Sequence, residues 1–306
     1  MRDFFPGFAT HVVPTHGGAI FVRVGGSGPP LLCLHGYPET HAMWHRVAPR
    51  LAEHFTVVAA DLRGYGASAI PPADAPIAAY SKSAMGGNMV EAMAALGFDR
   101  FRVLAHDRGA RAAYRLMLER PAAVERAVLL DIIPTLDVWR SFAEPAAALC
   151  MSHWTFLALA PPLPEQMIGG NPDHWLESRF VRGGASLPSW LDRDVYAHYR
   201  DLHRDPARFS VHCNDYRAGA TVDLDADRTS RARGETITHP LMVLWGSLGN
   251  LATHTAPAGE ALADPLAVWR TWCPHVTGGP VTSSHYIPED APDALLAVCL
   301  PFLRAP

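Results

Sequence analysis

The segment LAHDRGAR, residues 104–111, places an aspartate where a side chain can be pushed clear of the backbone. It follows an apolar run, FRVLAH at 101–106, that reads as a strand, and it opens a helical pattern from Gly109 to Arg120 that Pro121 stops. Ala105 and Gly109 flank Asp107 two positions to either side, the small-x-nucleophile-x-small spacing of a sharp strand-to-helix turn. A serine there would point to acyl transfer. A carboxylate suits displacement of a leaving group from a saturated carbon, through an ester formed on the enzyme. Taken alone, Asp107 could equally cap the following helix.

Other residues fall where such a reaction needs them. HGYP, His35 to Pro38, directly follows the strand-like LLCL, so the backbone N–H groups of Tyr37 and of Arg108 can form an oxyanion-binding pair. A hydrolytic base belongs late in the chain, after the last strand, and SSHYIPED puts His285 there. The acid that orients it can follow either of two strands. LWGSLGN carries no carboxylate after the second, so Asp131, ending VLLD, takes the role, with a helix cap as its other reading. DLRGYGAS and the Ala69 after it hold Gly64, Gly66 and Ala69 at dinucleotide-fingerprint spacing, but Ile70-Pro71-Pro72 bars the helix that would receive a pyrophosphate, and the segment reads as a turn. His41 and His45 lie one helical turn apart in HAMWH, which lacks the glutamate of a zinc protease motif. A solvated helix face is expected there, and no metal.

The elements that must position these residues alternate. Beyond a pair that reads as a hairpin, THVVPT and AIFVRVGG, strand-like runs at 31–34, 55–61, 101–106 and 125–131 are separated by helix-spaced segments at His41–His54, Ser81–Leu96 and Gly109–Arg120. This rhythm predicts an α/β fold with a mostly parallel sheet flanked by helices. From 134 to 234 the pattern becomes helical and rich in proline, Trp, His and Arg, which predicts an inserted helical cap on a core of 1–133 and 235–306. The rhythm resumes with a strand at 240–246, a helix near 256–263, a short apolar run around Pro280 to Thr282 and a last helix from Asp290 to Leu303.

Composition narrows the function. The 306 residues, 49% hydrophobic and 18% charged, can bury a large core. A net charge of −4 without basic blocks offers no footprint for nucleic acid or an anionic membrane, so a small molecule is the expected partner. No leader-like or eighteen-residue apolar run is present, and a cytoplasmic protein is expected. The five cysteines at 33, 150, 213, 273 and 299 have no C-x-x-C spacing, which predicts reduced thiols. Lys82 is the single lysine among 26 basic residues, so arginine must bind any anion, and no cofactor is called for.

Taken together, HGYP, DLRGYG, HDRGAR, LDIIP, SHW, NDYRAGA and SHYIPEDAPD resemble the fluoroacetate (haloacetate) dehalogenases of the α/β-hydrolase superfamily along nearly the whole chain. The resemblance implies a helical cap over the carboxyl ends of the strands and a homodimer. It implies that Asp107 displaces halide from a haloacid, that His285 activates water to cleave the ester, and that Asp131 orients His285. Arg108 and Arg111 would clamp the substrate carboxylate by charge-assisted hydrogen bonds. His153, Trp154 and Tyr216 would offer ring N–H, indole N–H and phenol O–H to the leaving halide.

The sequence departs from that family in two places. Ala105 stands where glycine is usual. The stretch matching about Val181 to Gly184 lacks a tryptophan that the family often carries, with Trp190 as the nearest substitute. The second departure predicts a looser pocket that takes chloroacetate or bromoacetate as well as fluoroacetate. An epoxide hydrolase would share the aspartate, histidine and HG-x-P turn, pairing Tyr216 with Tyr196 or Tyr199, but it gives Arg108, Arg111, His153 and Trp154 nothing to bind. A haloalkane dehalogenase leaves the same arginines idle. A non-catalytic ligand-binding relative need not keep Asp107, Asp131 and His285 together.

Overall fold

The structure, a computed structural model, describes residues 3–181, 186–249, 251 and 264–305. Eight strands form one sheet in the order β1-β2-β4-β3-β5-β6-β7-β8. β1 (Ala9–Val13) and β2 (Ile20–Gly25) make an antiparallel hairpin, and β2 also runs antiparallel to β4 (Thr56–Ala60). The remaining pairs are parallel, joining β3 (Pro30–Leu34), β5 (Phe101–His106), β6 (Val124–Leu130), β7 (Leu241–Gly246) and β8 (Thr277–Val281). Alternation along each strand feeds two cores. Leu32, Leu34, Val58 and Ala105 pack on one face, while Leu31, Cys33, Val57 and Leu104 pack on the other.

The strand order reverses between β3 and β5, so the loops at their carboxyl ends open a crevice rather than crossing over it. HGYP leaves β3 and Asp107 leaves β5 at that point. Asp131 leaves the neighbouring β6, and the loop bearing His285 leaves β8.

The helices differ from the sequence pattern where local sterics intervene. The segment expected as one helix over His41–His54 is a 3-10 turn, His41–Arg46, followed by the short α1 (Ala48–Leu51). The tighter turn carries His41 inward rather than onto a solvated face: it is buried, with Nδ1 2.9 Å from Asp61 Oδ1. α2 (Lys82–Ala95) starts at Ser81, whose Oγ accepts from the Ala84 N–H at 3.1 Å. α3 (Asp107–Glu119) begins at Asp107 itself. β8 starts at Thr277, ahead of the apolar run that suggested it. Its Gly278, at φ 134°, lets the strand approach β7 so closely that a Cβ would stand 1.8 Å from the Val243 carbonyl oxygen. The helix expected near 256–263 lies outside the described residues.

Between β6 and β7 the described elements are all helices: α4 (Thr135–Ser141), α5 (Pro145–Cys150), α6 (Ser152–Leu157), α7 (Leu163–Gly170), α8 (Pro172–Phe180), α9 (Arg193–His203), α10 (Pro206–Ala220) and α11 (Val222–Ala232). Buried carboxylates fasten this insert to the sheet layer. Asp227 of α11 accepts from the Tyr114 hydroxyl at 2.9 Å and from the Leu136 N–H at 3.0 Å. Asp215 of α10 accepts from Arg108 Nε at 2.9 Å and Nη2 at 2.6 Å, from the Tyr65 hydroxyl at 2.7 Å, and from Lys82 Nζ. The single lysine is therefore structural. Burial and the nearby Arg108 push its ammonium down to about 8. No described helix is long and apolar enough to cross a membrane.

Removing the Asp215 carboxylate would leave Arg108 and Lys82 buried without their anion, a loss of about 3–5 kcal/mol for such broken pairs. Asp215→Ala is expected to lower unfolding free energy by about that amount in a urea titration at neutral pH.

Candidate active site

Asp107 sits at φ 41°, a left-handed conformation that a non-glycine residue adopts only where its surroundings enforce it. Two glycines make the space. A Cβ on Gly36 would lie 2.6 Å from the Asp107 Cβ, and one on Gly109 would lie 2.5 Å from the His35 carbonyl oxygen. The Gly109 N–H donates to that carbonyl at 2.9 Å, which draws the start of α3 against the HGYP loop. His35 steadies the loop in turn: its Nε2 accepts from the Leu62 N–H at 3.0 Å and its Nδ1 donates to the Gly36 carbonyl at 2.7 Å.

The Tyr37 N–H donates to Asp107 Oδ1 at 3.0 Å, where the sequence placed one half of an oxyanion-binding pair, and Arg108, the other half, follows in the first turn of α3. Burial alone would raise the Asp107 carboxyl, but His285, His106, Arg108 and Arg111 more than offset it and hold it down to about 2. It is ionised at any working pH.

Asp131, at φ 55°, stands at the end of β6 as a second strained turn. Its Oδ1 accepts from the Gly246 N–H at 2.9 Å, and its Oδ2 accepts from His285 Nδ1. A carboxylate on Nδ1 fixes the tautomer and leaves His285 Nε2 free to take a proton. Asp107, Asp131 and His285 line one cavity of about 370 Å³.

Arg111, one turn along α3 from Asp107, lines the same cavity. Its Nη1 donates to the Ile133 carbonyl at 2.9 Å and its guanidinium lies 4.4 Å from the Trp154 ring centroid, with no carboxylate paired to it among the described residues. His153, Trp154 and Tyr216 also face the cavity, with the His153 and Trp154 rings 5.9 and 5.7 Å from the Tyr216 ring. Burial, then the charge of Arg179, keeps the His153 imidazole neutral, well below its usual range. Arg108 stands differently from the expectation that it clamps substrate beside Arg111. Its guanidinium does not line the cavity, because Asp215 takes Nε and Nη2, and it stacks 4.2 Å from the Tyr216 centroid.

Neither Tyr196 nor Tyr199 lines the cavity, and the Tyr199 hydroxyl is directed to Glu289 at 3.3 Å. Trp190 is also outside it, packed 5.5 Å from the Tyr286 ring, and Arg182 to Gly184 lie outside the described residues. Arg179 of α8 lines the cavity and was missed. Its one local signal is Trp175 a turn earlier, over which the guanidinium stacks at 4.4 Å.

Beneath the elbow runs a chain of buried polar groups. His106 Nε2 lies 2.9 Å from the His285 carbonyl oxygen, which can only accept, so Nε2 carries the proton. His106 Nδ1, 2.9 Å from Glu39 Oε2, then accepts from a protonated Glu39, since burial lowers the imidazole and pushes Glu39 up to about 8. Glu289, raised by burial and by Glu39, completes the chain toward Tyr199. The Glu39 and Glu289 carboxyls are hydrogen-bonded to each other, an arrangement that requires a proton between them.

This chain predicts a pH dependence. Glu39 keeps its proton to about 8 when folded but ionises near 4.5 when unfolded, so the native state holds more protons in that window and stability falls as pH rises through it. Glu39→Gln is expected to make that fall shallower, read as urea midpoints between about pH 5 and about pH 8.

The profile of the α/β-hydrolase fold family matches residues 29–158. Fluoroacetate dehalogenase of Burkholderia sp is 36% identical over 98% of this chain and 95% of its own length. Soluble epoxide hydrolase of Corynebacterium sp. (strain C12) is 28% identical over 95% of this chain and 96% of its own. Among solved structures, a candidate epoxide hydrolase from Pseudomonas aeruginosa superposes with a TM-score of 0.89 at 43% identity, covering 99% of this chain and 97% of that one. With a fold, a strand-end aspartate and a full-length relative in agreement, the chain belongs to the fluoroacetate (haloacetate) dehalogenase family of α/β-fold hydrolases.

Proposed function

We propose that the protein hydrolyses small 2-haloacids to hydroxyacid and halide. The observation that carries this reading is Arg111, a cavity cation one turn from Asp107 with no carboxylate of its own. It suits an anionic substrate whose reacting carbon lies over Asp107. In this reading Arg111 binds the substrate carboxylate while Arg108, held by Asp215, contributes charge from behind the wall. Asp107 attacks the α-carbon in line with the carbon–halogen bond, and the halide leaves toward His153, Trp154 and Tyr216. Their donors stabilise its charge in a site with little water. His285, oriented by Asp131, then deprotonates a water that cleaves the ester at the Asp107 carbonyl. The Tyr37 and Arg108 N–H groups hold the oxyanion that forms there.

Epoxide hydrolysis is the second reading, favoured by the Corynebacterium relative. It needs paired acidic donors over the aspartate. Tyr216 is in place, but Tyr196 and Tyr199 are outside the cavity.

His285→Asn should complete the first step and stall in the second. Treated with chloroacetate, the variant is expected to gain one carboxymethyl group on the peptide containing Asp107, seen by intact and peptide mass, while chloride release stops after roughly one turnover. No adduct and no chloride burst would contradict the assignment. Asp107→Asn is expected to lose about 10³-fold or more in halide release. A parallel assay with styrene oxide separates the readings: epoxide opening without halide release selects the second. Wild-type turnover of chloroacetate and bromoacetate as well as fluoroacetate is expected, and strict fluoroacetate specificity would overturn the looser pocket.

A further inference from the structure

We propose that Arg179 forms a second anion position in this cavity, and that the substrates include 2-halogenated dicarboxylates, with Arg111 binding the carboxylate beside the reacting carbon and Arg179 the distal one. The inference rests on the dehalogenation reading.

The two arginines enter the cavity from different layers. Arg111 projects from α3 of the core and is pinned by the Ile133 carbonyl and the Trp154 ring. Arg179 projects from α8 of the insert and is pinned by Trp175, whose Nε1 donates to the Tyr37 hydroxyl at 2.6 Å. The Arg179 platform is thus tied to the residue whose N–H reaches Asp107. Arg179 Nε and Nη2 reach only the Ser178 hydroxyl, at 3.3 and 3.1 Å, and no carboxylate pairs with it among the described residues. A half-buried guanidinium with no anion is an unbalanced charge that a ligand carboxylate would balance. Its field also reaches the reaction centre, being the largest charge acting on both Tyr37 and His153.

Size agrees with a longer substrate. At about 370 Å³ the cavity falls in the range that holds much larger ligands than a two-carbon acid. The reaction on 2-chlorosuccinate follows the same steps. Asp107 forms its ester bond to C2 as the carbon–chlorine bond breaks and chloride departs with the electron pair. Water then cleaves the ester, giving the 2-hydroxydicarboxylate, chloride and one proton.

The test compares kcat/KM for 2-chlorosuccinate and 2-chloroglutarate with that for 2-chlorobutanoate and 2-chloropentanoate, which lack the distal carboxylate. Wild type is expected to favour a diacid at least tenfold over the monoacid of equal length, about 1.4 kcal/mol, and Arg179→Met to bring that ratio to about one. A ratio near one in wild type, or one unchanged in Arg179→Met, overturns the proposal. Calorimetry with succinate and butanoate reads the anion position without turnover: a wild-type preference for succinate that Arg179→Met abolishes supports it, and equal affinities overturn it. Chloroacetate in wild type separates the two readings. If no chloride is released, the dehalogenation reading and the substrate class fall, whatever succinate does.

Discussion

A side chain at the head of α3 points into the crevice only because its backbone is forced to φ 41°, and that geometry lasts only while Gly36 and Gly109 lack Cβ atoms. Such a residue costs on the order of 1–3 kcal/mol. The cost is offset locally by the Gly109 N–H on the His35 carbonyl and by the Tyr37 N–H on Asp107. Asp131 repeats the arrangement on the adjacent strand, with Gly246 as its donor. Two strained acids on neighbouring strand ends, one facing substrate and one facing a histidine, divide nucleophile from orienting group.

The buried charges are sorted by partner. Asp215 holds Arg108 and Lys82, and Asp227 holds Arg115 and the Tyr114 hydroxyl, so these donors serve to fix the helical insert on the sheet. Arg111 and Arg179 have no such partner among the described residues, and both face the cavity. Below them, His106 links the nucleophile strand to the backbone of the base through its bond to the His285 carbonyl. A hydrogen-bonded chain of that kind holds the nucleophile strand and the loop of the base in position.

Much of this was legible in sequence because it depends on local rules. The small-x-Asp-x-small spacing identified the elbow, the apolar alternation identified β3 to β7, and the order of Asp107, Asp131 and His285 along the chain matched their order on the sheet. What was not legible depends on contacts distant in sequence. Arg108 and Arg111 are equivalent on paper, and only the approach of Asp215, 107 residues away, takes one of them out of the cavity. His41 looked solvated until Asp61 and a 3-10 turn drew it inward. Glu39 directly follows HGYP and Glu289 lies within SSHYIPED, but nothing in either segment pairs them, and Arg179 is one of 26 basic residues with only an aromatic neighbour to mark it. Only the end of β8, around Pro280, was legible, because its glycines at the start serve close strand approach rather than apolar packing.

The central claim is that the Asp107 carboxylate itself becomes bonded to substrate carbon. A single turnover of excess enzyme with chloroacetate in isotopically labelled water tests it directly. The account predicts that the first glycolate formed carries an unlabelled hydroxyl oxygen, taken from Asp107, while the heavy oxygen appears in the Asp107 carboxyl. Heavy oxygen in that first glycolate, with none in Asp107, would mean that water attacks the carbon directly and would contradict it.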